Sequence, residues 1–556
     1  MAVSTPATQQ GGGKSSGALL REIGLIGLLW ASMGSIIGSG WLFGAQKGLM
    51  TAGPAAIISW VIGGVAILIL ALVHAELGAM YPVSGGSARF PHYAYGGFAG
   101  ASFGWFSWLQ AATVAPIEVS AMILYAGHYS FADGWLHADG TLTTSGLIVA
   151  IVLMFLVSSV NYLGIRALAL TNSVATWWKV GVPLVTIFVV ALAGGFHTSN
   201  FTAANGFNPG GAHGILAAVA TSGIIFSYLG FEQADQLAGE SNNPKRDIPV
   251  AVIGSIVLGL IIYIALQVAF IGALPSSAIG STWDQVGSGL YTAFTGPWAQ
   301  LASLVSLGWL ASILYFDAIV SPGGTGLIYT AASARVSYGL SRNGYVPTIF
   351  ERLSSRRVPW FGVLFAFVIG CVCFLPFPSW QSLVGLITSA SVLMYAGAPL
   401  SFGAFRRRIP HADRPWRLPL GEFFSPLAFI VANFVVLWSG WDTDWKLGVA
   451  ILLGYVLLGA SYLLKLNPTE PVLDWHAAQW LPPYLIGLGV IVYLSDYGPM
   501  SDPVIPLWWD MGVMAVFSLV IYYWALSVAL PAEKIEAMVN EVVLPEEGDL
   551  APMPSH

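Results

Sequence analysis

Four ionisable side chains stand inside long apolar stretches of this sequence: Glu118, Lys179, Glu232 and Asp317. A charge within a membrane span is costly and by default marks a substrate path or a proton relay. Lys179 lies thirteen residues beyond Arg166, roughly 20 Å along a helix, farther than a lysine stem can snorkel. It is therefore the first candidate for a functional role within a span. Glu118 follows Pro116 near the outer end of its stretch, where a plain carboxylate close to outside water is the readier reading. Asp317 precedes Ser321-Pro322-Gly323-Gly324-Thr325-Gly326, small residues that let a helix or a ligand come close. A proline kink with glycine packing accounts for the same run.

Two stretches are badly suited to being plain helix. Gly34 to Gly44 reads Gly-Ser-Ile-Ile-Gly-Ser-Gly-Trp-Leu-Phe-Gly, and each interior glycine costs roughly 1 kcal/mol relative to alanine. A break freeing backbone groups persists in a bilayer only where protein or a wet cavity satisfies them; Gly34 and Gly38 also make a small-xxx-small packing face. Phe226-Ser227-Tyr228-Leu229-Gly230-Phe231-Glu232 supplies a second break, five spans later. Because five is odd, a repeated unit of that size runs in the opposite direction. That is the pattern of inverted-repeat carriers, whose interrupted helices meet near the midplane and bind substrate there. Exposed helix N-termini at such breaks suit a carboxylate.

The elements positioning these residues follow from composition. Of 556 residues, 56% are hydrophobic and 9% charged, against roughly 25% charged for a soluble domain. The fold class is an all-α polytopic membrane protein. Apolar runs of about 20 residues fall near 23–47, 54–80, 98–128, 145–163, 168–195, 213–238, 249–274, 298–334, 358–376, 380–404, 424–440, 447–464, 483–496 and 507–530, fourteen in all. With the N-terminus in the cytoplasm, eighteen Lys and Arg residues fall inside and only Lys47 and Lys446 outside, a strong positive-inside asymmetry. Both termini are then cytoplasmic, and no removable signal peptide is expected. Expected segments are a disordered lead-in (1–20), a first repeat (21–196), a second repeat (197–408), accessory helices (409–530) and an acidic, disordered tail (531–556). Asp442, Asp444, Asp496 and Asp502 are expected to face external water.

Several function classes are disfavoured. Cys371 and Cys373 share one span and suggest neither disulfide nor metal site. No His pair, nucleophile triad or phosphate loop is present to support an enzyme, an ATP-driven pump or a bound cofactor. A channel needs a continuous polar lining, but these charges are isolated, and nothing points to nucleic acid. Beyond substrate, protons and lipid, the expected partner is at most a second copy, in a monomer or homodimer.

Gly38-Ser39-Gly40-Trp41-Leu42-Phe43 resembles the carboxylate-binding motif of the amino acid–polyamine–organocation (APC) permeases. Ala75-Glu76-Leu77 with Pro82 to Ser87 resembles their first cytoplasmic loop, Phe226 to Glu232 with Asn243 to Pro249 their broken sixth helix and its exit, and Arg335 to Gly344 their eighth-helix exit. The combination of Gly38 to Phe43, Ser321 to Gly326 and extra C-terminal spans is similar to bacterial aspartate–proton symporters. The resemblance implies a 5+5 inverted-repeat fold with helices 1 and 6 interrupted, in the cell or inner membrane. It implies that Ile37, Gly38, Ser39 and Gly40 receive a substrate carboxylate, while Phe226, Ser227 and Leu229 line the second break, with the carbonyls of Phe226 and Leu229 taking its ammonium. Phe226 matches a gate residue and Glu232 a proton sensor. Lys179 matches a lysine sited where sodium-coupled relatives bind a cation, with Thr325 beside it and Asp317 a further coupling candidate. The implied function is proton-coupled uptake of an amino acid, aspartate or glutamate among the candidates. Obligate exchange and a neutral substrate remain open at this point.

Overall fold

The computed structural model describes residues 23–548 other than 83–85, 163–164, 194, 288–294, 357 and 470. The expected lead-in at 1–20 and the last eight residues lie outside the described set. The first apolar run forms two helices, α1 (Leu25–Ile36) and α2 (Gly40–Ala52), and α3 (Ala56–Met80) follows. A short connecting helix, α4 (Gly86–Tyr95), leads to α5 (Gly97–Ala126), α6 (Thr144–Asn161) and α7 (Ile165–Ala193). The sixth run is divided among α8 (Gly211–Thr221), α9 (Ile224–Tyr228) and α10 (Gln233–Gln236). Then come α11 (Pro244–Ala273), α12 (Pro297–Leu304), α13 (Gly308–Arg342), α14 (Trp360–Cys373) and α15 (Trp380–Arg408). The chain ends with α16 (Gly421–Ser439), α17 (Trp441–Leu463), α18 (Trp475–Ala478), α19 (Leu481–Leu494), α20 (Trp509–Val528) and α21 (Ala532–Gly548).

Eleven helical stretches among the described residues are long and apolar enough to cross a membrane, and three shorter apolar helices accompany them. Large apolar side chains point outward along them, as in Phe155 and Leu156 of α6, Phe188 and Leu192 of α7, and Leu452 and Val456 of α17. Such a surface is stable against lipid and unstable against water.

The core is organised by two long packings, α5 against α13 and α3 against α11, with α15 laid along α5 and α16. The membrane window of α15 is buried throughout. Its start is fixed by a capping box in which the Ser379 hydroxyl accepts the Ser382 amide at 3.2 Å and Ser382 returns the contact to the Ser379 amide at 3.3 Å, satisfying otherwise orphaned donors. At one end of the bundle the chain entering α1 is tied to the chain leaving α10: the Ile23 amide donates to Glu240 at 3.0 Å, and the Asn242 amide to Ile23 at 2.9 Å. At that same end Glu76 of α3 takes two bonds from Arg406, at 3.1 and 2.7 Å, and one from the Leu418 amide at 2.7 Å, with Arg414 at 3.4 Å.

Two expectations are corrected. Residues 532–548 form helix α21 instead of a disordered tail. Ile535, Met538 and Val539 recur at helical spacing and are turned inward, with the helix packed on α4, so apolar period outweighs acidic content. Asp444 also differs from its neighbours: the Ser389 hydroxyl of α15 donates to its Oδ1 at 2.9 Å, and its Oδ2 is buried. Two residues span about 200° around a helix, so Asp442 points out, 85% exposed, and Asp444 points in. Asp502 is exposed, while Asp496 is half-buried, 3.6 Å from the His213 ring of α8.

Candidate substrate and proton site

Helix α1 ends at Ile36 and α2 starts at Gly40, leaving Ile37, Gly38 and Ser39 between them. In the sixth run Gly223 (φ 87°) separates α8 from α9, Leu229 is extended, and Gly230 sits at φ 120° before Glu232. Positive φ is open to glycine at little cost and strained for other residues. The two interruptions touch. A Cβ on Gly40 would collide with the Ser227 side chain, and one on Gly230 would lie 2.9 Å from the Ile36 amide nitrogen. The Ser32 hydroxyl donates to the Phe231 carbonyl at 3.1 Å, and the Tyr263 hydroxyl of α11 donates to the Ile36 carbonyl at 2.9 Å. Backbone groups released by the first interruption are thus partly taken up by side chains from other elements, as a low-dielectric interior demands.

Lys179 is fully buried, and its ammonium donates to the Gly34 carbonyl at 2.5 Å and to the Thr325 hydroxyl at 2.7 Å. It therefore joins α7, the last turn of α1 and α13. Glu118 approaches the same break from α5. Its Oε2 accepts the Ser39 amide at 2.9 Å, while its buried Oε1 has no hydrogen-bond partner among the described residues. A Cβ on Gly38 would stand 2.6 Å from that Oε1 and 3.1 Å from the Thr325 hydroxyl, so the missing side chain makes room for both. Glu118 and Lys179 lie within coulombic reach of each other.

Trp380, placed by the capping box, donates its indole N–H to the Ser39 hydroxyl at 2.9 Å. Its ring lies 4.9 Å from Phe43 and 6.1 Å, edge-on, from Phe226. These three aromatics cover the break on one side. Ser227 donates to the Gly223 carbonyl at 2.6 Å and holds the short α9 turn together.

Glu232 belongs to a separate knot. Its carboxylate accepts the Gln110 amide at 3.0 Å, the Tyr329 hydroxyl at 3.1 Å, the Tyr395 hydroxyl at 2.6 Å and the Gly230 amide at 2.9 Å. Gln110 is eight residues from Glu118 on α5, roughly 12 Å along the axis, and Tyr329 is four residues, roughly 6 Å, beyond Thr325 on α13. Asp317 stands apart again, accepting the Trp178 indole at 2.8 Å and the Ser321 hydroxyl at 2.7 Å. The structure thus gathers Ile37 to Gly40, Phe226, Ser227, Lys179 and Thr325 around the contact of the two interruptions. It sets Glu232 and Asp317 one step outside. Trp380 and Tyr263 escaped the sequence reading, because single uncharged aromatics carry no signal in a chain with 22 Trp and 21 Tyr. Glu118 was visible as an intramembrane acid, but its bond to Ser39 was not.

Two half-helices meeting at glycine-rich gaps, with an acid, a lysine and an aromatic cover at the junction, define a multi-pass membrane carrier. The chain belongs to the amino acid permease family, whose model matches residues 23–458. It is 37% identical over 525 residues to the glutamate/serine transporter AimA of Bacillus subtilis (strain 168), covering 93% of this chain and 96% of that protein. It is 35% identical over 529 residues to the aspartate-proton symporter of the same organism, covering 94% and 99%. A more distant relative is the serine/threonine exchanger SteT of that organism, 28% identical over 462 residues, covering 80% and 97%.

Proposed function

We propose that this protein carries an amino acid with an acidic or small polar side chain into the cell, together with protons, by alternating access. The observation that carries the reading is the junction of the two interruptions, where the Ser39 amide is held by an internal carboxylate, Glu118, and the adjoining turn of α1 by the Lys179 ammonium. The names of the relatives, glutamate/serine transporter and aspartate-proton symporter, support the substrate class and the coupling ion. Five spans on each side of residue 197 form the inverted pair, α8 to α10 answering α1 and α2, with both termini cytoplasmic.

A substrate carboxylate arriving at the amides of Ser39 and Gly40 meets Glu118 already there. Two carboxylates sharing one site cannot both stay ionised cheaply, so substrate and proton are taken up together: Glu118 accepts a proton, yields the Ser39 amide, and the substrate replaces it. Lys179 then holds or releases α1 according to its own charge. Trp380, Phe43 and Phe226 form the cover through which the substrate enters, and the carbonyls of Phe226 and Leu229 receive its ammonium.

Purified protein in proteoliposomes, offered labelled glutamate, aspartate, serine and leucine with an imposed inward proton gradient, tests this. Accumulation of glutamate, aspartate or serine that collapses with a protonophore supports the reading. Uptake seen only when the lumen is preloaded with amino acid replaces it with exchange.

A further inference from the structure

Asp317 stands one step outside the junction, and its two oxygens are in different conditions. The residue is 0% exposed. Its Oδ1 is held by the Trp178 indole of α7 at 2.8 Å and by the Ser321 hydroxyl of its own helix at 2.7 Å. Its Oδ2 is buried with no hydrogen-bond partner among the described residues. Trp41, the second residue of α2, is buried and faces Asp317. Its indole nitrogen likewise has no hydrogen-bond partner among the described residues. An indole N–H only donates and an ionised carboxylate only accepts, so the two groups complete each other. Leaving both unmade in a low-dielectric interior is costly.

The place of the pair in the chain gives it its effect. Trp41 lies beyond the break, on α2, whereas α1 is tied to α7 and α13 through Lys179 and Thr325. Helix α2 packs on α8 and α11. Asp317 is eight residues before Thr325 on α13, roughly 12 Å along the axis, on the side away from Arg342. Trp41 is engaged there only through its backbone and ring face: its carbonyl accepts the Trp298 indole of α12 at 2.9 Å, and the two rings are 6.2 Å apart. The Lys179 ammonium, within coulombic reach of Asp317, is committed to Gly34 and Thr325. Tyr315, two residues from Asp317, is about 200° around α13. The rival donor is the buried Tyr125 hydroxyl of α5, also without a hydrogen-bond partner, whose ring meets Phe43 edge-on at 5.4 Å.

We propose that Asp317 is a positioning residue of the carrier: by taking the Trp41 indole N–H on its Oδ2 it latches α2 onto α7 and α13 and holds the outer half of the first interrupted helix closed. The inference rests on the carrier reading and adds where its outer closure is fastened. The test is hydrogen–deuterium exchange of the full-length protein in lipid, read peptide by peptide. Asp317→Asn keeps an oxygen for Trp178 and Ser321 but turns an amide group toward Trp41; Trp41→Phe keeps a ring and removes the N–H. Each is expected to speed exchange along α2 about tenfold, the scale of one such bond, with α7 and α13 unchanged. The double variant is expected to go no further than either single one, because both remove the same contact. Unchanged α2 exchange in either single variant, an additive double variant, or an equal rise along α7 and α13 would overturn the latch. So would Tyr125→Phe reproducing Asp317→Asn while Trp41→Phe does not. Freed of the latch, the outward-open state is more populated, so Trp41→Phe is expected to lower KM for external amino acid together with kcat; a raised KM would contradict this. Absence of uptake by wild type speaks against the carrier reading, whereas the exchange pattern reports the latch alone.

Discussion

The ammonium of Lys179 meets the carbonyl of Gly34 across 2.5 Å, from the middle of α7 to the last turn of α1 before its break. A Cβ on Gly34 would lie 2.7 Å from the Thr176 hydroxyl, one turn from Lys179, so the close approach depends on glycine. Removing the ammonium leaves the Gly34 carbonyl and the Thr325 hydroxyl without their charged donor, and such bonds contribute roughly 1.5–3 kcal/mol. Lys179→Gln is expected to slow gradient-driven uptake about tenfold to a hundredfold, with the residual flux insensitive to the proton gradient. Initial rates at two imposed gradients decide it, and unchanged gradient dependence contradicts the role.

Glycine at the junction is a steric requirement that single substitutions expose. Gly38→Ala drives a methyl into Glu118 and Thr325, and Gly40→Ala into Ser227. Both are expected to lose substrate binding while the protein still folds. Gly181→Ala, two residues past Lys179, meets nothing within 4 Å and should instead stabilise α7 by up to about 1 kcal/mol through helix propensity. Binding isotherms and unfolding midpoints in detergent separate the two outcomes.

The buried clamp of Glu76, Arg406 and Arg414 contrasts with the exposed pair of Lys245 and Asp413, whose side chains are 65% and 80% exposed at 3.4 Å. Arg406→Ala strands a buried carboxylate and should cost about 3 kcal/mol, and Arg406→Lys part of that because the two-pronged contact is lost. Lys245→Ala should change stability by less than about 1 kcal/mol. Thermal midpoints of the three proteins check the ranking.

His92, on the connecting helix α4, gives a pH dependence outside the membrane spans. Burial, with the nearby Arg89 charge, lowers its pKa to about 4, opposed by Asp474. Between that value and the ordinary 6.5 the unfolded chain binds the proton more readily, so stability rises with pH across this window. His92 thus weakens the fold progressively as pH falls from 6.5 toward 4. Unfolding midpoints measured over that range should drop less steeply for His92→Gln than for wild type; parallel curves would contradict this.

Much of the architecture is legible in the sequence because lipid imposes simple demands: long apolar runs and few charges. The eleven long apolar helices fall on runs read from hydropathy alone, and the runs 34–44 and 226–232 mark where helix gives way, although the turn at Gly223 escapes the sequence reading. What is not legible is which partner meets which gap. Trp380 reaches Ser39 across 341 residues, and Glu118 reaches the same residue across 79, contacts that leave no local pattern. Asp444 was misplaced because two residues of helix turn separate solvent from core, and α21 because its acidic content concealed an apolar stripe.

The most direct measurement follows proton and amino acid in the same vesicle, with a pH-reporting dye in the lumen and labelled glutamate, aspartate or serine outside. Adding substrate in the absence of an imposed gradient is predicted to acidify the lumen at a fixed ratio to uptake, and Lys179→Gln is predicted to break that ratio. Substrate entry with no lumenal acidification would contradict proton-coupled carriage through this junction.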